Sequence, residues 1–228
     1  MWASLFNSIF FTVFVVLART AIGLVFAVLI NSVGYCKSFF RTVYFLPVVT
    51  SMVAVSLVWR NLLYNPAFGI LNQMLHGLGL PGSNWLKSPD TALLSVMLMT
   101  IWKDAGYAVV LYLAGLQNIP EQLLEAATID GAGRFKSFWH ITLPLLGNTT
   151  LLVLITSTIS YLQVFTQIFI MTDGEGGPGT ATHTMVFYLY REAFVKYRFG
   201  YASALSVILF VVIMIFSVIQ MKLTREVE

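Results

Sequence analysis

The chain has 228 residues, 13 of them Lys or Arg and 10 Asp or Glu, so that 10% are charged against 58% hydrophobic, with a mean hydropathy of +0.82. A soluble domain carries roughly 25% charged residues, so this composition leaves too little polar surface for a particle in water, and a net charge of +3 spread over loops excludes a nucleic-acid binder or a polybasic membrane anchor. The length holds about five bilayer spans of roughly 20 residues with their loops, but no soluble catalytic domain beside them, so any energy source lies in another chain.

Charge-free runs locate the spans, because a charge at the bilayer centre costs several kcal/mol. The first runs from about Leu5 to Ile30 and is interrupted by Arg19; the second runs from Thr42 to Trp59. The third, Thr91 to Leu116, contains Lys103 and Asp104, whereas the fourth, Ile141 to Met171, and the fifth, Tyr201 to Met221, are free of charge. A backbone in hydrocarbon must satisfy its own N–H and C=O groups, so runs of this length read as α-helices. Asn31 and Gly34, Asn65-Pro66, Pro81-Gly82, Gly131 and Gly176-Gly177-Pro178 punctuate the loops between them. The start Met1-Trp2-Ala3-Ser4-Leu5 has no basic side chain and a long apolar stretch follows, which argues against a cleaved signal peptide. Cys36 stands alone, so no disulfide within the chain is expected, and its thiol reads as packing material.

Orientation does not follow from charge. Lys37, Arg41, Arg134, Lys136, Lys222 and Arg225 fall on one side and Arg60, Lys87, Arg191, Lys196 and Arg198 on the other, and so even a division gives the positive-inside rule nothing to act on. An odd number of helices still places the two termini on opposite sides.

The segment between the third and fourth spans, residues 117–140, differs from the other loops. Pro120 suits the first turn of a short helix, Glu121 favours its positive end, and Gly131 tolerates the positive φ that ends one. The expected form is a short helix, a tight turn and a second helix. Glu125 beside the small pair Ala126-Ala127 makes a low-relief patch with a single carboxylate, a shape suited to another protein's groove. A solvated helix lying on the headgroups accounts for the composition equally well.

The spacing of Glu125-Ala126-Ala127, Gly131, Ile141 and Leu143-Pro144 resembles the cytoplasmic signature loop of the membrane-spanning subunits of binding-protein-dependent ABC importers. Asp130-Gly131-Ala132 is similar to the branch that imports carbohydrates, polyols and glycerol phosphates. The likeness continues through Asn7-Ser8, Arg41-Thr42-Val43-Tyr44-Phe45-Leu46-Pro47, Gly69-Ile70-Leu71-Asn72, Trp85-Leu86, Trp102-Lys103, Leu116-Gln117-Asn118-Ile119-Pro120, Gly176-Gly177-Pro178 and Gly200-Tyr201-Ala202-Ser203-Ala204, nearly the whole chain from Asn7 onward.

This resemblance implies one all-α integral membrane permease domain over 1–228, with about five transmembrane helices and a cytoplasmic coupling-helix loop between the third and fourth. Glu125, Ala126, Ala127, Asp130, Gly131 and Ala132 would dock on an ATPase subunit, Glu125 facing a basic side chain. The C-terminus is then cytoplasmic, in the cytoplasmic (inner) membrane of the cell. The implied partners are a second homologous permease chain, two ATP-binding subunits, an extracytoplasmic solute-binding protein and a sugar-like solute. ATP and Mg are used by the partner ATPase, and this chain binds no cofactor. Two departures stand out: the family usually has six helices and this chain begins just before the second, and the Asp173-Gly174-Glu175 stretch is slightly longer than the family pattern.

For the pathway, Thr156, Ser160, Gln163 and Gln167 follow one another at helical spacing, with Ser157 and Tyr161 beside them. A sugar needs neutral hydroxyl and amide partners and aromatic platforms, which this face offers; the same residue types also glue helices together in membranes. Arg19 and the pair Lys103-Asp104 are the charges deep in the apolar runs, and each requires a partner. His76, His140 and His183 lie in separate segments without metal-ligand spacing, and no Gly-x-x-x-x-Gly-Lys-Ser/Thr run exists for ATP. The chain is therefore not expected to be an enzyme. A carrier or channel driven by an ion gradient is the rival reading; it needs a relay of intramembrane ionisable groups, and the charges occupy three positions on two helices.

Overall fold

A computed structural model describes residues 1–32 and 37–225, so Cys36 lies outside the described residues. Every regular element among them is helical. Among the described residues, three helices are long and apolar enough to cross a membrane unbroken: α1 (Trp2–Ser32), α5 (Pro89–Gln117) and α12 (Phe199–Arg225), the last over Phe199–Lys222. Two further spans are bent pairs, which makes five crossings if each pair counts once.

The second span does not continue as one helix from Thr42 to Trp59. It breaks into α2 (Lys37–Val49) and α3 (Met52–Val58), bent by 100°, with a π-type turn over Trp59–Leu63 after them. Pro47 inside α2 has no N–H to continue the ladder, and Ser51 turns to φ −59°, ψ 131°. The Thr50 hydroxyl donates to the Pro47 carbonyl at 2.6 Å, supplying a bond that the broken ladder lacks.

The fourth span also departs from the expected Ile141 to Met171. It starts at α7 (Arg134–Ser137), passes through a π-type turn at Phe138–Thr142 and α8 (Leu143–Leu145), then bends by 61° into α9 (Gly147–Leu162). Pro144 cannot donate to the carbonyl four residues back, and the wider turn just before it re-pairs the backbone, Leu143 N–H reaching the Phe138 carbonyl. At its far end α9 stops at Leu162, and Phe165 (φ −144°, ψ −59°) separates it from α10 (Thr166–Met171).

The central helix is α5, with α1, α2 and α9 packed around it. Small residues set the distances. A Cβ on Gly23 of α1 would lie 2.5 Å from the Ala108 Cβ, and one on Gly106 would collide with the Tyr44 carbonyl oxygen of α2. Without lipid-excluding hydrophobic drive, such close backbone approach supplies the dispersion energy that holds membrane helices together. Phe11, Val15, Tyr64, Met97, Tyr161 and Phe187 fill one end of the core; Ala27, Ala108, Tyr112, Leu146 and Val153 fill the other.

Beyond the spans, α4 (Ile70–Gly77) is tied to its loop by Asn72, whose Nδ2 donates to the Pro66 and Ser83 carbonyls and whose Oδ1 accepts from Ser83 N and Trp85 Nε1. The short helix α6 (Glu121–Ile129) follows α5 at the opposite end. Between α10 and α11 (Met185–Tyr190), residues 172–184 form a strap bound to α1. Asn7 Nδ2 donates to the carbonyls of Thr180, Ala181 and His183 at 3.1–3.2 Å, and the Ser8 hydroxyl accepts from Met185 N at 2.8 Å.

Candidate coupling and pathway sites

At the α6 end, the backbone forms the expected helix, turn and helix. Gly131 sits at φ +74°, and Asp130, Gly131 and Ala132 donate back to the carbonyls of Ala126, Thr128 and Ala127, closing the helix. Glu125, Ala126, Asp130 and Gly131 are exposed, Ala132 is half-buried, and Ala127 is buried beneath them. A groove of about 340 Å³ runs between α6 and α7, lined by Leu123, Ala126, Ala127, Asp130, Lys136 and His140. The surface around it is apolar: Ile129 is 86% and Phe135 77% exposed, and Trp139 is half exposed. Sequence reasoning did not single out these three, although large apolar side chains in an otherwise polar loop are the signal that finds them.

Between the long apolar helices the deep charges converge. Arg19 of α1 is 5% exposed; its Nε donates to the Asp104 carbonyl at 3.1 Å and its Nη1 to the Ser157 hydroxyl at 2.7 Å. The guanidinium lies 5.2 Å from the Tyr107 ring and 5.7 Å from the Tyr161 ring, close enough for cation–π attraction. The Tyr161 hydroxyl donates to Asp104 Oδ2 at 3.0 Å, and Lys103 Nζ lies 3.6 Å from Asp104 Oδ1. Lys103 also donates to the Val48 carbonyl of α2 at 3.2 Å. One cluster thus joins α1, α2, α5 and α9.

The six pathway candidates separate. Thr156 is half-buried and Ser160 exposed, and with Leu152 they form the open face of α9, while the exposed Gln163 follows its last residue. The hydroxyls of Thr156 and Ser160 donate to their own helix, to the Leu152 and Thr156 carbonyls. Ser157 and Tyr161 face inward to Arg19 and Asp104. Gln167 lies past the break on α10 and is buried, so the four-residue stripe does not continue onto it.

At the end opposite α6, Arg60 forms an ion pair with Asp173 and donates to the Ile170 carbonyl at 2.9 Å. Beside this pair opens a groove of about 610 Å³ whose mixed lining includes Asn65, Lys87, Asp173 and Glu175. The strap packs tightly over His183: a Cβ on Gly176, at φ +81°, would collide with the His183 ring. Burial first, and then the nearby Arg191 and Lys196, lower the His183 pKa from its ordinary 6.5, although its contact with the Glu175 carbonyl opposes them. Glu192 is held below the usual carboxylate range, chiefly by the 2.6 Å hydrogen bond from Lys196.

A family model described as the inner membrane component of binding-protein-dependent transport systems matches residues 19–228. The chain is 36% identical over 225 residues to the probable ABC transporter permease protein YurN of Bacillus subtilis (strain 168), covering 97% of this chain and 76% of that one. It is 35% identical over 224 residues to the trehalose/maltose transport system permease protein MalF of Thermococcus litoralis, covering 98% and 75%. Among solved structures it is similar to a bacterial alginate ABC transporter in complex with an alginate pentasaccharide-bound periplasmic protein, with a TM-score of 0.86, 27% identity and coverage of 99% of this chain and 78% of that one.

Proposed function

The chain belongs to the family of inner membrane components of binding-protein-dependent transport systems, and from that premise we propose that it is the permease subunit of an ATP-driven importer of a carbohydrate-type solute. It is the non-catalytic membrane part, and ATP with Mg is used by partner subunits. The relative named for trehalose/maltose transport and the neighbour solved with an alginate pentasaccharide-bound periplasmic protein support the solute class.

The observation that carries the reading is the surface at the α6 end: exposed Glu125 and Ala126 above buried Ala127, beside a groove and the exposed side chains of Ile129 and Phe135. Apolar area of this kind outside the spans calls for a protein partner. We place the ATPase there, Glu125 facing a basic side chain. On this reading α5 runs inward, α9 outward and α12 inward, leaving the C-terminus in the cytoplasm. The groove beside Arg60 and Asp173 at the opposite end then faces the solute-binding protein, and a second permease chain closes the pathway. Thr156 and Ser160 on the open face of α9, with Gln163 at its end, offer hydroxyl and amide groups to the solute. Closure of two ATPase subunits would draw the α6 helices together and shift the pair from inward to outward access.

A gradient-driven carrier lacks support in the charge cluster, where Arg19, Lys103 and Asp104 engage one another and their neighbours. The test is affinity purification from native membranes in mild detergent, wild type beside Glu125→Lys. Recovery of an ATPase and a second permease with wild type, and loss of the ATPase with the variant, is the expected result. Wild type recovered alone, with solute uptake driven by an ion gradient in proteoliposomes, overturns the reading.

A further inference from the structure

Within the reading of this chain as an ATP-driven permease, we propose that Lys103 is a positioning residue: it pins the break between α2 and α3 to the central helix, making that break the pivot through which movement of α6 reaches the opposite end. The two halves of the broken span rest chiefly on different helices, although the turn after α3 also touches α5, the Tyr64 hydroxyl donating to the Ser95 carbonyl. The α2 half lies on α5, where the backbone at Gly106 meets the Tyr44 carbonyl; the α3 half lies on α10. A span divided in this way bends where its halves part.

The chemistry at the break fits a pin. A helix end leaves carbonyls without intrahelical donors, and in hydrocarbon no water replaces them. Thr50 serves Pro47, and the Lys103 ammonium, 6% exposed, serves Val48. A cation is also the favoured charge at a helix C-terminus. Asp104, 3.6 Å away on the other flank, balances it. Lys103 thus bridges the gap in the helical hydrogen-bond ladder with a charge-assisted hydrogen bond, free to rotate because an ammonium has no fixed hydrogen-bond plane.

The joint lies on a continuous route. Helix α5 runs from Lys103 to its end at Gln117, just before the turn into α6, a distance of about 21 Å at 1.5 Å per residue. Beyond the joint, the turn after α3 carries Trp59, whose ring centroid is 5.3 Å from that of Trp102, and Arg60, paired with Asp173 of the strap. A swing of α3 about Lys103 therefore acts directly on the Arg60–Asp173 contact beside the groove.

The experiment measures distances between paired spin labels in a Cys36→Ser background, in the complex recovered above or in the chain itself where no ATPase accompanies it. One pair, Val43→Cys with Leu57→Cys, spans the break; a control pair, Leu29→Cys with Leu98→Cys, joins α1 to α5. All four positions are exposed. Without nucleotide, Lys103→Met is expected to broaden the distribution across the break and leave the control pair narrow, whereas Lys103→Arg keeps both narrow. In the complex, trapped Mg-ATP should shift the break distance in wild type and lose that shift in Lys103→Met. An unchanged break distribution in Lys103→Met overturns the proposal, as does equal broadening of both pairs, which assigns Lys103 to general packing. If Mg-ATP moves neither pair in wild type, the pivot role falls; absence of an ATPase from the complex is instead a failure of the importer reading, and the nucleotide-free comparison still decides the pin.

Discussion

Arg19 Nη1 donates to the Ser157 hydroxyl at 2.7 Å across 138 residues of sequence, and the same guanidinium reaches the Asp104 carbonyl. A single cation thereby holds the first, third and fourth spans at one depth. Neutral hydrogen bonds between membrane helices average about 0.6 kcal/mol, but charge-assisted ones contribute roughly 1.5–3 kcal/mol. Arg19→Leu should therefore destabilise the chain by about 2 kcal/mol, since removing the cation also removes its burial cost. The check is the unfolding midpoint in detergent, and a midpoint equal to wild type refutes the clamp.

Gly106 makes a sharper prediction because its neighbour is backbone. An added Cβ meets the Tyr44 carbonyl oxygen, which cannot rotate away. Gly106→Ala should cost about 1–3 kcal/mol through forced separation of α2 and α5. Gly77→Ala, with nothing within 4 Å of its Cβ, should be tolerated in the same assay.

The α6 turn distinguishes shape from charge. Gly131 holds φ +74° with open space around it, so the constraint is conformational alone. Asn adopts that region readily and a β-branched residue does not. Gly131→Asn should retain recovery of the ATPase in the affinity purification, whereas Gly131→Val should lose most of it. Equal recovery with both would show that the turn is irrelevant to docking.

His183 predicts a dependence on acidity. Its pKa is lowered on folding, so the folded state prefers the neutral ring while the unfolded chain takes up a proton first. Stability from this group is complete above pH 6.5 and is lost as pH falls through the lower folded value. The thermal midpoint should fall between pH 7.5 and pH 5, and His183→Gln should flatten that fall. Glu192 has the same sign but acts below its ordinary 4.5, where the Lys196 contact is titrated away. A wild-type profile flat down to pH 5 would contradict the burial of the neutral ring.

Much of the candidate site was legible in the residues. The spacing of Glu125-Ala126-Ala127 and Gly131 located the short helix and its turn, because a proline start and a glycine end are local signals. The buried charges Arg19, Lys103 and Asp104 stood out for the cost each carries in hydrocarbon. Their partners were not legible. Ser157 and Tyr161 lie beside the stripe of Thr156 and Ser160, yet the first two face Arg19 and Asp104 and the others the open side. A periodicity defines faces of a helix without saying which neighbour covers each one.

The sequence by itself determined the membrane class, the number of apolar runs and the place of the loop at α6, because hydropathy and turn chemistry act over a few residues. Only the tertiary structure decided where those runs bend. Pro47 and Pro144 remove one donor each, but the size of the bend depends on what the freed halves pack against. After Pro47 α3 packs on α10 and the span turns by 100°; after Pro144 α9 packs on α1, α12 and α5 and the span turns by 61°. The same missing N–H has different consequences because packing partners distant in sequence, and not the proline, set the direction of the chain after the break.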